Sequence, residues 1–222
     1  GGAISLEPQK AAGLYGCSLV GSGAGSLLAL AGPAIWGPSG AIGLVVTLGV
    51  IAWWAFVRVP LIKRLAFSGT VGIALIALAW WLPAQVELRL SPYKSLAQVL
   101  RQQGAELEWT GWNSFSRVDV ISSSGLHQAP GLSLTYGQAL PHQTALTVDG
   151  DNLTSLTASA PEEAVFTQFL PTAVPFQLLS RPRVLVVEPG GGLDLLTALH
   201  HGAGQVTALV GNPLEADLLS GQ

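Results

Sequence analysis

Charge is what this 222-residue chain has least of: 10 Lys and Arg with 13 Asp and Glu make 10% of its residues, against about 25% in an ordinary soluble domain. With 49% of residues hydrophobic, that shortage excludes a chain that is water-soluble throughout. Methionine is absent, even from position 1. The sequence therefore points to a chain without its natural start, processed or partial, in which a signal peptide cannot be read. The single cysteine, Cys17, excludes an intramolecular disulfide and a cysteine-based metal cluster. Lying in an apolar run, it reads as a small packing residue. A net charge of −3 with no basic face speaks against a nucleic-acid partner.

The little charge there is lies unevenly. Residues 1–86 hold Glu7, Lys10, Arg58, Lys63 and Arg64, and residues 87–222 hold the rest. Between Lys10 and Arg58 no residue is charged, room for two bilayer spans of about 20 residues each. Gly32, Pro33, Gly37, Pro38 and Gly40 stop one helix and permit a reversal before the next. A third uncharged stretch runs from Leu65 to Val86. The expected architecture is three transmembrane helices over about 12–32, 40–57 and 65–84, with Trp36, Trp53, Trp54, Trp80 and Trp81 near span ends, where indoles favour the headgroup level. The lipid bilayer is thus the first expected partner. Arg58, Lys63 and Arg64 favour a cytoplasmic loop, but Arg89, Lys94 and Arg101 pull the other way, so the side of the soluble part stays open.

In the first span Gly13, Cys17, Gly21, Gly25 and Ala29 recur every four residues, with Ser18, Ser22 and Ser26 on an adjacent row. Small residues at this spacing let two helix backbones approach closely in lipid. The ridge serves either the chain's own helices or another membrane subunit.

From residue 87 the texture is that of a soluble protein. Residues 91–103 read as a helix with Ser91 as N-cap and Pro92 at its first position. Residues 106–112, 117–122, 132–136 and 144–149 read as strands of a small antiparallel sheet, and residues 162–170 as a helix. Residues 87–180 are taken as a β-rich domain, and residues 181–222 as the start of another. There the sequence VLVVEPGGGLDLLTALHHGAGQVTALVGNP (184–213) places an apolar strand, a glycine-rich turn, a helix and a second apolar strand within thirty residues, the opening of a doubly wound α/β sheet. Gly190 and Gly192 would let the backbone approach a nucleoside, Glu188 ends the strand and Asp194 opens the helix. Carboxylates repel pyrophosphate and attract an amine or sulfonium, so the turn suits a neutral or cationic nucleoside.

These residues, together with LYGCSLVGSGAGSLLAL, SPYKSLAQVL, WNSFSRVDV, LTVDGDNLT, PEEAVFTQFLPTAVPF and the closing GNP, resemble the spermidine synthase (polyamine aminopropyltransferase) family in its membrane-fused branch. The resemblance covers nearly all of the chain. It implies a β-domain followed by a Rossmann-like, methyltransferase-type sheet that binds S-adenosylmethionine or its decarboxylated form, without a metal, in a prokaryotic inner (cytoplasmic) membrane. Glu188, Gly190 and Gly192 match the family's cofactor positions, and Asp149 with Gly150 matches a strand ending in Asp-Gly. Other positions depart. Phe115 and Ser116 stand for Tyr-Gln, Gly191 for an aspartate, and Val210 for the acid that holds the ribose. Phe166 and Thr167 stand for the Tyr-His pair of the polyamine pocket. Loss of the ribose carboxylate alone removes a charged acceptor, worth about 1.5–3 kcal/mol. The family's catalytic aspartate belongs to a later strand, beyond Gln222, and no catalytic residue is assigned. Two functions remain: a spermidine synthase-like transferase with a partial or degenerate cofactor fold, and a non-catalytic subunit of a membrane complex.

The other candidates have structural readings. His200 and His201 end the helix where a cation complements the dipole. His127 and His142 lack ligand partners at metal spacing. Asp149 and Asp151 read as turn formers before calcium ligands, and Glu162 and Glu163 as acids at a helix start. Ser122, Ser123 and Ser124 lack the setting of a nucleophile. Arg117 and Asp119 share a strand face and are expected to pair before they would face a ligand.

Overall fold

The computed structural model describes residues 10–56, 69–85 and 90–221. The chain forms two compact units, residues 1–89 with 112–115 and residues 90–111 with 116–222.

In the first unit, α1 (Ala11–Phe56) is 46 residues long and carries no acidic residue in its first turn and no basic one in its last. A straight helix of that length would reach about 69 Å, over twice the roughly 30 Å hydrocarbon core of a bilayer. It is not straight. Gly37 leaves the helical region (φ 66°, ψ −179°) between Pro33 and Pro38. Ala41 Cβ then lies 3.8 Å from where a Gly32 Cβ would sit, whereas nine helical residues would separate these positions by about 13.5 Å. The chain therefore folds back at the glycine that the sequence marks as a break. The expected spans 12–32 and 40–57 lie within this one element as two helical arms that meet at the Gly37 kink; residue 57 lies outside the described residues. Among those residues, Ala11–Ala55 is the one helix long and apolar enough to cross a membrane, where the sequence predicts three. The expected third span appears as α2 (Gly69–Gln85), a 17-residue helix, and residues 65–68 of that expectation lie outside the described ones.

Glycine is what lets α2 pack on α1. The Trp80 indole fills the space where a Gly43 side chain would stand, 2.7 Å from that position, and its Nε1–H reaches Thr47 Oγ1 at 3.4 Å. Val50 meets Gly72 in the same way. Trp80, expected at a span end, is thus a helix-packing residue. By contrast Gly13, Gly21 and Gly25 have nothing within 4 Å among the described residues, and Cys17 is exposed. Among the described residues, these three glycines of the small-residue ridge meet neither α2 nor the second arm of α1.

In the second unit, α3 (Ser95–Val99) begins three residues later than expected and ends at Val99. Lys94 is its N-cap and makes no side-chain capping bond. Ser91 spends its hydroxyl within a tight turn, accepting from Tyr93 N–H at 3.4 Å. Strands β1 (Glu106–Trp112), β2 (Arg117–Ser122), β3 (Gln143–Val148) and β4 (Asp151–Thr157) form one sheet in that order. The β2–β3 and β3–β4 pairs are antiparallel. The turn between β3 and β4 is Asp149-Gly150, with φ of 53° and 71°, the left-handed pair that a two-residue hairpin requires. Alternation sends Val118, Val120, Leu146 and Leu156 to one face, against α6 (Pro213–Ser220) through Leu214, Leu218 and Leu219. Ile121 and Ala145 face the other way and pack on Leu96 and Val99 of α3.

Residues 132–136 are not the expected strand. Leu134 is fully exposed, and Ser133 and Thr135 hydrogen-bond each other at 2.8 Å, a local side-chain bond that competes with a ladder. The expected helix 162–170 is instead a run of tight 3₁₀ turns, Pro161–Glu163, Val165–Phe169 and Pro171–Ala173, leading into α4 (Val174–Leu178). Prolines at 161 and 171 set those breaks, since each starts a turn and neither can donate.

Residues 183–209 follow the predicted pattern: β5 (Arg183–Val187), α5 (Leu193–His200) and β6 (Gln205–Leu209), with β5 and β6 parallel from Arg183↔Gln205 to Val187↔Leu209.

Candidate functional site at the glycine turn

The turn between β5 and α5 brings together four of the five residues expected to hold a cofactor. Glu188 ends β5 with a left-handed backbone (φ 51°), Gly190 and Gly192 have φ of 54° and 82°, Gly192 is the N-cap of α5, and Asp194 lies in its first turn. The fifth, Asp149, is not among them. Its Oδ1 accepts from Arg117 N–H at 2.9 Å and its carbonyl from Lys94 Nζ at 3.0 Å, so it locks the β3–β4 hairpin. Neighbouring Asp151 accepts from Ser95 Oγ at 2.7 Å, a bond that holds its carboxyl below the ordinary value.

The turn lies flat on protein. A Cβ at Gly190 would stand 2.8 Å from the Thr154 methyl, one at Gly191 2.1 Å from the Ser155 carbonyl oxygen, and one at Gly192 3.0 Å from Leu219. Both Gly191 and Gly192 are buried. Small residues here permit close approach to β4 and α6, where the sequence reading had them approach a nucleoside. Gly191, which stands where the resemblance expects an aspartate, has no space for any side chain.

The two carboxylates of the turn do not converge. Glu188 N–H donates to Leu209 O at 2.8 Å, and its Oε1 accepts from Gly211 N–H at 2.9 Å. The side chain thereby ties the end of β5 to the end of β6. Asp194 is exposed and borders two cavities. One, of about 310 Å³, includes Gln128, Thr154, Ser155 and Pro189; the other, of about 570 Å³, runs along β5 with Phe176 and Leu179. A third, of about 630 Å³, lies beside Gly191, Gly192 and Leu199. Each has the size of a small-ligand pocket, but Glu188 lines none of the three.

Asn212 and Glu215 complete the polar groups near the strand ends. The Asn212 side chain caps α6, accepting from Leu214 N–H at 3.2 Å, and donates to Ser116 Oγ at 3.1 Å and Glu215 Oε1 at 3.3 Å. Burial raises the Glu215 pKa, the Asn212 bond opposes that, and the nearby Glu188 charge adds to the rise. The signal for this corner is in the sequence: Asn-Pro-Leu-Glu is an N-cap, a proline at the first position and an acid at the third.

Phe166 and Thr167, which the resemblance sets in place of a polyamine-pocket pair, are 1% and 0% exposed, and the Thr167 hydroxyl donates to Ala164 O at 2.7 Å. They are core, packed with Leu193 and Leu196 of α5 around Ala164 and Leu170. Arg117 and Asp119 pair as expected, Nη2 to Oδ1 at 2.6 Å.

His201 differs from its expected cationic role. His200 Nδ1 donates to the Pro161 carbonyl at 2.6 Å, and its Nε2 lies 3.1 Å from the Gln168 side-chain amide. His201 stacks on Phe176 with centroids 5.3 Å apart, and burial, followed by the charge of His200, lowers its pKa below 6.5. Desolvation outweighs the helix dipole here. A folded-state pKa below the unfolded one means that the unfolded chain binds the proton first, so this contribution to stability is complete above about 6.5 and is lost as pH falls through the folded value. Protection factors of the α5 amides, in which the intrinsic pH dependence of exchange is divided out, are expected to fall on acidification below about 6.5, and His201→Gln is expected to flatten that dependence. Unchanged acid sensitivity in the variant would contradict the assignment.

Compared with known proteins, the chain matches no family model, no curated protein and no solved structure.

Proposed function

We propose that the chain is an integral membrane, spermidine synthase-like protein whose adenosyl-cofactor fold is degenerate. The observation that carries this reading is the position of Gly191 against Ser155: a parallel strand–turn–helix–strand unit of the nucleoside-binding kind keeps its glycines and its strand-end acid but spends them on internal contacts. Gly190 and Gly191 seat the turn on β4, and the Glu188 carboxylate is taken up by the Gly211 amide. Val210 supplies no acceptor for ribose hydroxyls. The bent apolar helix α1 anchors the protein in the bilayer, and a prokaryotic cytoplasmic membrane is the location we assign to it.

Titration calorimetry of the detergent-solubilised chain tests this. With S-adenosylmethionine and with its decarboxylated form, the expected result is no saturable heat up to about 1 mM ligand, an affinity weaker than about −4.1 kcal/mol. Saturable binding that disappears in Glu188→Ala would establish a working cofactor site and overturn the reading.

The unoccupied ridge of α1 favours a role as a structural subunit. Gly13, Cys17, Gly21, Gly25 and Ala29 form a surface narrow enough for close helix approach, and Gly13, Gly21 and Gly25 meet nothing within 4 Å among the described residues. Its fitting partner is another membrane helix.

A further inference from the structure

The Arg117–Asp119 pair is bound lopsidedly. Asp119 Oδ1 accepts from Arg117 Nε at 2.8 Å, from Arg117 Nη2 at 2.6 Å and from Thr110 Oγ1 at 2.7 Å. Its other oxygen, Oδ2, is buried and accepts nothing among the described residues. Directly across the ladder, Thr147 is the register partner of Asp119, and its Oγ1 is also buried without a partner. Both residues are 0% exposed. Opposed residues on one sheet face have Cβ atoms about 4.5–5.5 Å apart, so the two orphaned oxygens belong to one neighbourhood, reached from two strands.

We infer that a single buried water bridges Asp119 Oδ2 and Thr147 Oγ1. A carboxylate can only accept, while a hydroxyl can donate or accept. The bridging group must therefore donate to the first and can do either with the second, and water does both. A metal cation is excluded by charge and by number: Arg117 already neutralises Asp119 at 2.6 Å, and hard cations take on the order of six oxygen ligands, where two are free. Buried waters of this kind satisfy polar groups that would otherwise stay unpaired, on the order of one per 27 residues. The water makes the second carboxylate oxygen part of the β2–β3 ladder, so that Asp119 holds Arg117 with one oxygen and the neighbouring strand with the other.

A map of the full chain in detergent, at a resolution that shows ordered water, tests the site directly. A peak within hydrogen-bond distance of both oxygens is expected; no peak, or a direct contact between Thr147 Oγ1 and Asp119 Oδ2, overturns the inference. Thr147→Val supplies a second test that keeps the side-chain shape. Removing one anchor of the water is expected to lower the folding equilibrium constant about tenfold, with Thr147→Ser restoring it, since one lost hydrogen bond is of that order. A hydroxyl that was truly unpartnered would give the opposite sign, and a Val variant more stable than wild type refutes the bridge.

Discussion

Alanine at position 191 is expected to destabilise the second unit by about 3 kcal/mol, the upper part of the range for forcing atoms into a packed interior. The added carbon would stand 2.1 Å from the Ser155 carbonyl oxygen and 2.4 Å from its carbon. Both are backbone atoms of β4, which cannot rotate aside as the end of a flexible side chain would. Either β4 shifts, disturbing Leu156 in the core, or the turn lifts away and exposes the apolar start of α5. The matched control is Gly137→Ala: that glycine meets nothing within 4 Å and has no left-handed backbone, so its change stays within about 0.5 kcal/mol. Denaturant midpoints of the two variants check the comparison. Equal stabilities would show that the turn does not rest on β4.

Asp119→Asn is the second large effect. It removes the charge from an oxygen that takes both Arg117 bonds and the Thr110 bond, and leaves the guanidinium, 20% exposed, facing a neutral amide. Breaking one partner of a buried pair typically costs about 3–5 kcal/mol, and the partial exposure of Arg117 places this case near 3 kcal/mol. The double variant Arg117→Met with Asp119→Leu is expected to lose far less than the single one, because a buried pair exchanged for apolar side chains no longer carries desolvation. The sign of that difference, read from unfolding midpoints, separates a buried ion pair from a surface one.

Much of this fold is legible in the sequence because its strongest signals are local. The turn at Asp149, the Gly37 break and the strand–turn–helix–strand unit at 183–209 each rest on a residue whose backbone preference decides the conformation, whereas β4 after that turn is not foreseen. What escapes is set by tertiary contact. The pattern LSLTY at 132–136 has strand composition, but side-chain bonds between Ser133 and Thr135 hold it in turns. Helical spacing at 162–170 is overridden by prolines at either end, and Phe166 is buried all the same. At the candidate site the glycines are visible in the sequence but their use is not: only the structure places Thr154, Ser155 and Leu219 against them. Likewise the sequence marks Glu188 as a strand-end acid, and the Gly211 amide that takes its carboxylate becomes apparent only when β5 and β6 pair.

This division also explains the two directions in which the functional reading points. Residue types at the turn are those of a nucleoside site, which is what a resemblance detects. Their contacts are those of a packed interior, with two of the three glycines buried and the acids Glu188 and Asp194 turned to different neighbours.

Hydrogen exchange at the turn itself decides the matter most directly. Amides of Gly190, Gly191 and Gly192 in the intact, detergent-solubilised chain are expected to show the same protection with and without about 1 mM S-adenosylmethionine, because the turn is already seated on β4. Protection that rises at these three amides with ligand concentration, and not elsewhere, would show a functioning cofactor turn and contradict the degenerate fold.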